Sequence, residues 1–354
     1  MAMKALTKPR QATIYQVAER AGVSIATVSR ALREDTPVTD ETRRRVREAA
    51  AELQFTPSRS ARSLAEGRHA ANGIVFPDLV GPYFAEVLLG YEAVAAGLGS
   101  SVLILTTRDR RDAADAVRDL ARRVDGLAVH GRTVGDDLIA ALAGTVPVVL
   151  IARDPVPGVD TVRTGNRRTA RALAEHLLGH GHHRFAFLGD PDSSPDFAGR
   201  YAGLRDGLQA ARANAEKQGN AGKRAGRRDD VALHLVPETG FDLEAGERAA
   251  RSLLTRRNPP QALVCANDEL ALGALRAAAA AGLDVPGDLA ITGWDDLLAA
   301  RFAGLTTVAQ PMRSLGATAA RWLDRRIDDP SPAARRRVLP TRLVVRGSCG
   351  DHHL

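Results

Sequence analysis

Short apolar runs alternate with segments of helical spacing from Gly73 onward, and this alternation limits the fold of the chain. The runs are GIVF, SVLIL, GLAV, VPVVLI, RFAFLG, ALHLV, ALVCA and LAITGW, and the helical segments are 83–98, 111–123, 166–180, 199–211, 244–255 and 268–281. Such alternation is typical of βαβ units, in which helices cover both faces of a parallel sheet. The pattern predicts an α/β fold with two parallel sheets.

The amino-terminal segment has a different pattern, which predicts three short helices. Thr13 and Gln16 have the spacing of a capping box at the start of a first helix. Gly22 supplies the positive φ of a sharp helix exit, and Ser24 can cap a second helix that runs to about residue 32. A third helix begins at Thr39. Residues 1–56 are therefore predicted to form a helix-turn-helix domain.

The outward residues of the second helix suit the major groove of DNA. Arg30 can form a bidentate contact with guanine, and Ile25 and Ala26 can touch thymine methyl groups. The hydroxyl groups that can hold phosphates belong to Ser24, Thr27 and Ser29. Residues 1–69 carry 13 Lys and Arg against 8 Asp and Glu, most of the net charge of +7, which indicates a polyanionic partner. The alternative is a three-helix adaptor with a solvated polar face.

Composition and the absence of certain motifs exclude several other classes of protein. The only cysteines, Cys265 and Cys349, lie far apart, which indicates a reducing cytoplasm, and neither a membrane-spanning run nor a signal peptide is found. No phosphate-binding glycine motif is present, so no cofactor is expected. Four histidines, at 176, 180, 182 and 183, cross from a helix end into a strand. They are not expected to share one helical face, so no metal site is predicted.

The segment FTPSRSARSLAEGRHA follows the third helix, and it is too short to hold a helix alone in water. Here the chain resembles the lactose-repressor/galactose-repressor family of bacterial transcription regulators. The likeness rests on YQVAERAGVSIATVSRAL, ARSLA, VFPDLVGPYFAEVLLGYE, HLLGHGHHRFAFLGD, ANDELALGALRAA and DLAITGWDD, and it extends over about residues 13–348. The resemblance implies a hinge helix and linker at 57–70. In it, Leu64, with Ala61 beside it, enters the minor groove; an exposed linker leucine is the alternative.

The resemblance also implies which residues contact DNA and how the body is divided. The candidate DNA-binding residues are Thr13, Tyr15, Ser24, Ile25, Ala26, Thr27, Ser29, Arg30, Arg33, Ala61 and Leu64. Residues 71–348 should resemble the periplasmic sugar-binding proteins, with two α/β lobes, three crossing strands and a ligand in the cleft. Lobe 1 covers about 71–163 and 312–339, and lobe 2 covers about 164–311 and 340–348.

Ligands of open α/β sheets lie beyond the carboxyl ends of the strands, so the residues that follow the apolar runs are the candidate ligand contacts. Asp78, Asn267 and Asp295 follow such runs, and Arg200 lies just beyond RFAFLGD. Tyr83 and Phe84 are expected to supply an apolar wall from the other lobe. The resemblance implies that Phe241 packs against the ligand. Carboxylates, an amide and a guanidinium can bracket vicinal hydroxyls. The alternatives are a salt bridge between Asp295 and Arg200, in which Arg200 starts a helix, and a core role for Phe84 and Phe241. Asp268 is expected to cap the helix 268–281 rather than to bind ligand.

Together these observations predict a dimeric transcriptional regulator, a repressor, that binds a near-palindromic operator in double-stranded DNA and is controlled by a small ligand. A sugar or sugar derivative is the predicted effector, with a purine as the main competitor. The helix 268–281 and the helix after Pro82 are candidates for the dimer interface because of their apolar and small-residue faces; a tetramer stays open. The rival classes are a free carbohydrate-binding protein and an α/β enzyme that modifies a sugar or nucleotide.

Overall fold

The computed structural model describes residues 12–32, 38–55, 68–217 and 231–350. The chain forms two compact units, Met1–Ala70 and Ala71–Leu354, which are described separately. Within the described ranges, no helix combines the length and the apolar character needed to cross a lipid bilayer.

The described residues of the first unit form three helices, α1 (Ile14–Ala21), α2 (Ile25–Ala31) and α3 (Asp40–Glu52). The predicted capping box at Thr13 is present, and Gly22 ends α1 in the left-handed conformation with a φ of 62°. Ser24 and Thr39 cap α2 and α3 through their side chains. The core of the unit is formed by Val17, Ala18, Ala21, Val28, Ala31, Val46, Ala49 and Ala50, which are all buried. The predicted helix-turn-helix is confirmed.

A six-stranded parallel sheet organises the first lobe of the second unit. Its strands are β1 (Ala71–Phe76), β2 (Ser101–Thr106), β3 (Gly126–His130), β4 (Val148–Ile151), β5 (Asp160–Thr164) and β11 (Arg336–Leu339), in the order β11-β5-β4-β3-β1-β2. The helices are α4 (Pro82–Gly97), α5 (Ala113–Ala121), α6 (Asp136–Ala143) and α12 (Met312–Asp328). Residues of α4 and α12 share one core cluster with the sheet, and residues of α5 and α6 share another, so both faces of the sheet are covered.

A four-stranded parallel sheet organises the second lobe, in the order β7-β6-β8-β9. The strands are β6 (Arg184–Leu188), β7 (Ala232–Val236), β8 (Ala262–Cys265) and β9 (Ala290–Thr292). Four helices accompany them: α7 (Asn166–Gly179), α8 (Pro195–Lys217), α9 (Leu243–Leu254) and α10 (Asp268–Ala280). The short helix α11 (Leu298–Phe302) follows β9. The two parallel sheets predicted from the apolar alternation are therefore confirmed.

The chain passes between the lobes three times. It leaves the larger sheet after β5, returns between β10 (Thr307–Ala309) and α12, and leaves again between β11 and β12 (Arg342–Val344). The last two passages pair, since β10 and β12 form a two-stranded antiparallel sheet. Hydrogen bonds join the passages, from Thr164 Oγ1 to Gln310 Oε1 at 2.9 Å and from the Gly165 N–H to the Leu339 carbonyl at 2.9 Å. The structure thus has the two-lobed, three-crossing fold that the resemblance implied.

The small-residue faces that made two helices candidates for the dimer interface are used inside the chain. A Cβ atom at Gly316 of α12 would collide with the backbone of Val87 in α4, so these two helices pack backbone to backbone. A Cβ atom at Gly273 of α10 would likewise collide with the backbone of Leu243 in α9. The small residues therefore permit close packing within one lobe. These contacts do not test the dimer interface predicted for the two helices, which stays a prediction.

The helix predicted at 199–211 is longer than its apolar spacing indicated. It begins at Pro195, a residue favoured in the first turn because its missing N–H needs no partner there, and it runs to Lys217. Arg200 therefore lies in the second turn and does not start the helix as predicted. Residues 211–217, the start of the basic segment 211–230, belong to this helix, and residues 218–230 lie outside the described ranges.

Candidate functional site

The exposed surface of α2 presents most of the residues predicted to contact DNA. Ile25 is 39% exposed, Ala26 and Arg30 are exposed, and Thr27 and Ser29 are half-buried. The hydroxyl of Ser24 accepts from the Thr27 N–H at 3.1 Å, so it is partly committed to the helix cap. Two further candidates lie at the start of α1, where Thr13 forms the capping box and Tyr15 is 69% exposed.

Arginines of the first unit divide into two groups by their contacts. Arg43 and Arg45 of α3 donate to the carbonyls of Ala31 and Ala21, and so satisfy the ends of α2 and α1. Arg20 pairs with Glu52 at 2.7 Å. Arg30, in contrast, donates only its Nε, to the Ala26 carbonyl at 3.3 Å, among the contacts seen in the described part of the chain. Its terminal nitrogens are therefore suited to an external acceptor.

Three of the predicted DNA contacts, Arg33, Ala61 and Leu64, lie outside the described residues, together with most of the proposed hinge at 57–70. Phe55, just before that segment, packs against the three-helix core.

A single cavity of about 130 Å³ brings together six of the seven predicted ligand contacts. It is lined by Pro77, Val80, Tyr83, Phe84, His130, Gly131, Arg132, Ser193, Ser194, Pro195, Asp196, Phe197, Arg200, Phe241, Asn267, Glu269 and Asp295. The first seven of these follow or end strands of the larger sheet, and the others follow strands of the smaller sheet. The cavity therefore lies between the lobes at the carboxyl ends of the strands, where α/β folds bind ligands.

Arg200 is the buried cation of the cavity. Its Nε donates to Asn166 Oδ1 at 3.1 Å, its Nη1 donates to the Ala266 carbonyl, and its Nη2 lies 3.8 Å from Asp196 Oδ2. Its guanidinium also lies over the ring of Trp294, 4.8 Å from the centroid. These contacts fix the plane of the guanidinium, which leaves Nη2 as the group best placed to donate to a ligand.

Asp295 accepts from Gln310 Nε2 and shows no ion pair with Arg200 among the described contacts. The alternative reading, a salt bridge between Asp295 and Arg200, is therefore wrong, since Arg200 pairs with Asp196 of its own helix. Burial raises the pKa of Asp295 well above its usual value, while the nearby charge of Arg200 opposes that shift. A carboxyl group in this state can donate to a hydroxyl as well as accept from one.

Asn267, and not Asp268 as predicted, caps α10. The Asn267 Oδ1 accepts from the Leu270 N–H at 2.9 Å, and its Nδ2 donates to the Phe241 carbonyl at 2.8 Å. Asp268 is the first residue of the helix, fully buried, and its carboxylate accepts from the Leu297 N–H and the Thr307 hydroxyl. Asp268 is thus tied to the loop after β9 and to β10. It does not line the cavity, as expected.

Aromatic rings from both lobes form the apolar wall. The Tyr83 hydroxyl lies 3.2 Å from His130 Nε2, and the rings of Phe84 and His130 meet edge to face at 5.4 Å. Across the cavity, Phe241 packs edge to face on Phe197 at 5.4 Å. Phe84 and Phe241 each contact a hydrophobic core as well as the cavity. Both roles considered for them, a ligand contact and a core residue, are therefore present in part.

Asp78 is the one predicted contact that the structure does not place on the cavity wall. Its Oδ1 accepts from the Val80 N–H at 2.9 Å, and its Oδ2 pairs with Arg108 Nε at 2.6 Å. The guanidinium of Arg108 lies 5.6 Å from the centroid of Phe241, in the other lobe. Asp78 therefore orients a cation that spans the mouth of the cleft.

Sequence reasoning missed several ionisable groups of the cavity, notably His130, Asp196 and Glu269. His130 is the last residue of β3, so the strand-end rule applied to GLAV would have found it. Asp196 and Glu269 were hidden because they lie inside the first turn of helices. Glu269 lies directly against Gly81 of the opposite lobe, where φ is +92° and a Cβ would collide with its carboxylate.

Burial changes the protonation of these groups. The pKa of His130 falls to about 3, so its imidazole is neutral and can exchange a hydrogen bond with Tyr83. Burial, with the charges of Asp242 and Asp78, raises the pKa of Glu269 to about 7. The pKa of Asp196 is raised by burial and lowered less strongly by Arg200. The cavity therefore offers a neutral imidazole and carboxyl groups of raised pKa beside the fixed guanidinium of Arg200.

The four histidines set aside as metal ligands do not all share one helical face. His176 lies in the last turn of α7 and His180 caps the same helix, so these two share one face, whereas His182 and His183 lie beyond the helix, as expected. Their donor atoms lie near the sulfur of Cys349.

The fold and cavity define a helix-turn-helix regulator joined to a two-lobed, ligand-binding unit. Residues 13–58 match the model of bacterial regulatory proteins of the lacI family, and residues 174–349 match a periplasmic binding protein-like domain. The chain is 33% identical to the HTH-type transcriptional regulator DegA of Bacillus subtilis, over 95% of this chain and 97% of that protein. It is 30% identical to the HTH-type transcriptional repressor CytR of Escherichia coli, over 98% of each chain.

Solved structures of regulators of the same kind also match this chain. The lac repressor dimer bound to operator and the anti-inducer ONPF matches with a TM-score of 0.82 and 28% identity, over 97% of this chain and 100% of that one. The complex of the transcriptional regulator CelR with cellobiose matches with a TM-score of 0.67 and 28% identity, over 95% and 99%. The chain belongs to the lacI family of bacterial regulatory proteins, and it is a DNA-binding transcriptional regulator.

Proposed function

We propose that this protein is a dimeric repressor that binds a near-palindromic operator and is controlled by a small polyhydroxylated ligand, a sugar or sugar derivative. Residues 1–56 bind the major groove, 57–70 form the hinge, and 71–348 bind the ligand and dimerise. The lac repressor structure, a dimer on its operator, and the CelR complex with cellobiose support this assignment by likeness.

The observation that carries the proposal is the composition of the cavity. Arg200 Nη2, the Asp295 carboxyl group and the Tyr83 hydroxyl offer donors and acceptors, and Phe241 offers an apolar ring. Sugars satisfy such sets, because their hydroxyls bond in pairs while their C–H faces pack on aromatic rings. A purine is the second candidate, since Phe84 and Phe241 also present surfaces on which a base can stack.

Control of DNA binding requires that the ligand bind two arrangements of the lobes unequally. The lobes touch on two sides of the cavity, through Arg108 above Phe241 and through Arg132 Nη1, which donates to the Asp192 carbonyl at 3.3 Å. A ligand that changes the separation of the lobes would alter both contacts. It would thereby favour one lobe arrangement over the other.

Exposed apolar residues of the first lobe support a dimer. Leu89 on α4 is 50% exposed, and Ile104 on the edge strand β2 is 45% exposed. In the second lobe, Leu298 and Phe302 of α11 are 68% and 86% exposed. A second copy of the chain would remove these surfaces from water, which favours association.

The polar groups of the cavity are explained by recognition, and the relatives are transcriptional regulators, so we assign binding without turnover and without a cofactor. Because the proposed operator is bacterial DNA, we propose the cytoplasm as the location of the protein.

A thermal-shift screen of the full chain tests this proposal. The screen should include monosaccharides, disaccharides, polyols, sugar phosphates and nucleobases. A ligand at a hundredfold excess over its dissociation constant should stabilise the fold by about 2.7 kcal/mol. The shift should vanish in Asp295→Asn and persist in Asp137→Asn, which changes an exposed carboxylate on α6.

Each outcome of the screen decides a separate point. A sugar or polyol that needs Asp295 supports the proposed ligand class. A nucleobase as the sole ligand would replace that class while keeping the cavity. A ligand whose effect is the same in Asp295→Asn would refute the cavity as the effector site.

A further inference from the structure

A cluster of two histidines and a cysteine lies in the second lobe and has no part in the effector cavity. The ligand atoms of His176, His180 and Cys349 all lie within 4.8 Å of one another. His176 and His180 are one turn apart at the end of α7, and Cys349 lies in a 3₁₀ turn (Gly347–Cys349) near the end of the chain. The fold thus joins residues that are far apart in sequence.

The spacing of the donor atoms fits a tetrahedral metal. The distance between His176 Nε2 and Cys349 Sγ is 3.4 Å. Two ligands of a tetrahedral zinc ion, with bonds of about 2.1 Å to nitrogen and 2.3 Å to sulfur, are about 3.6 Å apart. The His180 ring stands edge to face on His176, with ring centroids 4.8 Å apart, so a small rotation of His180 would complete the set.

We propose that His176, His180 and Cys349 bind a divalent transition-metal cation of the first row, with Zn²⁺ as the best match. Two imidazoles and one thiolate are ligands that zinc prefers, and they are poor ligands for Mg²⁺ or Ca²⁺. Water or another ligand would take the fourth position.

Neighbouring groups would orient the proposed ligands. Thr306 Oγ1 lies 3.0 Å from Cys349 Sγ, and it accepts from the Arg346 N–H at 2.8 Å. The Thr306 hydroxyl donates to the Arg346 carbonyl at 2.9 Å; after Cys349 loses its proton, this hydroxyl can rotate to donate to the thiolate instead. His182 Nε2 lies 3.1 Å from the Cys349 carbonyl and fixes the backbone of the turn. Such outer contacts are typical of metal sites.

The proposed site lies at the amino ends of the strands of the second lobe. Cys349 packs beside Thr306, and the adjacent Ser348 donates to the Ile291 carbonyl in β9 at 2.6 Å. The effector cavity lies at the opposite, carboxyl ends of the strands. A bound metal would therefore fasten the last turn of the chain to α7, and its effect on stability is separable from effector binding.

Binding releases one proton. The metal–sulfur bond forms as the Cys349 thiol loses its proton to solvent, and both imidazoles bind in the neutral form. Because the metal displaces this proton, metal affinity should increase with pH.

Cobalt substitution gives a direct test, because a Co²⁺–thiolate bond produces a charge-transfer band in the near ultraviolet. The full metal-free chain should bind one Co²⁺ with this band and with visible bands of tetrahedral intensity, and Zn²⁺ should displace it. His180→Gln should weaken Zn²⁺ binding at least about tenfold, and Cys349→Ser should abolish the charge-transfer band.

Matched controls separate this site from other donors of the chain. Cys265→Ala removes the other cysteine, which is buried in β8, and should keep the band. His234→Gln changes an exposed histidine of β7 and should keep the affinity. Replacing His352 and His353, which follow Cys349 in the sequence, by alanine should keep the band as well.

The proposal fails if folded wild-type chain binds Co²⁺ without a thiolate band. It fails equally if the band persists in Cys349→Ser. If Cys349→Ser does not fold, the His180→Gln variant tests the proposal instead. An unchanged Zn²⁺ affinity in His180→Gln contradicts the proposed site.

Discussion

The side-chain amide of Asn267 donates a hydrogen bond of 2.8 Å to the carbonyl oxygen of Phe241, while its own carbonyl oxygen accepts from the backbone N–H of Leu270. One side chain therefore caps α10 and holds the loop before α9. Both residues line the cavity, so the shape of this wall depends on a single amide.

This double role predicts a measurable loss of stability. Asn267→Ala removes the cap and leaves the Phe241 carbonyl without its donor, which should lower the free energy of unfolding by about 1–3 kcal/mol. Asn267→Ser keeps a capping hydroxyl and should lose less. Asp242→Ala, which removes only the cap of α9, should cost about 1 kcal/mol. Denaturant unfolding measures all three, and equal losses for Asn267→Ala and Asp242→Ala would contradict the double role.

The architecture could be predicted because its signals are local. The alternation of apolar runs with helical segments indicates strands regardless of the sheet that each strand joins. The capping box at Thr13 and the turn at Gly22 depend only on nearby residues. Of the three residues predicted because they follow apolar runs, Asn267 and Asp295 line the cavity.

The features that the sequence did not predict depend on contacts between segments that are distant in the chain. The pairing of Asp78 with Arg108, the approach of Glu269 to Gly81 and the meeting of His176 with Cys349 have no signature in sequence spacing. The strand β5 (Asp160–Thr164) was missed because its sequence, DTVRT, is largely polar, although four of its five residues are buried. Its Asp160 is held by Arg326 at 2.9 Å, a partner contributed by α12.

Arg30 should read a base. Arg30→Ala should weaken binding to the preferred operator by about 1–3 kcal/mol and relax one base position in each half-site. Arg44→Ala is the matched control, because Arg44 is an exposed arginine of α3 that pairs with Glu41 and Glu48. Fluorescence anisotropy on an operator and its single-position variants measures both effects. A uniform loss on all sequences would assign Arg30 to a phosphate instead.

Glu269 should make stability depend on pH. Its pKa is raised from 4.5 to about 7, so the folded chain holds a proton that the unfolded chain has lost, and stability falls as pH rises between these values. Glu269→Gln should therefore raise the melting temperature more at pH 8 than at pH 5.

Glu86→Gln is the control for that measurement. The hydrogen bond from Arg313 lowers the pKa of Glu86, so this group stays ionised from pH 5 to pH 8 and its substitution should have the same effect at both. A Glu269→Gln effect that is also independent of pH would refute the raised pKa.

Leu64 is predicted to act as a wedge in the minor groove, a role inferred from the sequence because the residue lies outside the described ranges. Leu64→Ala should lower affinity for the operator and leave non-specific binding nearly unchanged. Only at the operator centre do the contacts of the inserted leucine offset the cost of unstacking a base step. Competition with random-sequence DNA separates the two. Equal losses on both would reduce Leu64 to a linker residue.

The central claim is that a ligand in the cavity controls DNA binding, and operator affinity with and without that ligand tests it most directly. Duplexes selected by the full chain from random DNA should contain a two-fold symmetric sequence, to which a dimer binds. The ligand found by thermal shift should change that affinity about 5- to 150-fold in the wild type and leave it unchanged in Asp295→Asn. A ligand that saturates the cavity without altering the affinity for the selected DNA would contradict the account.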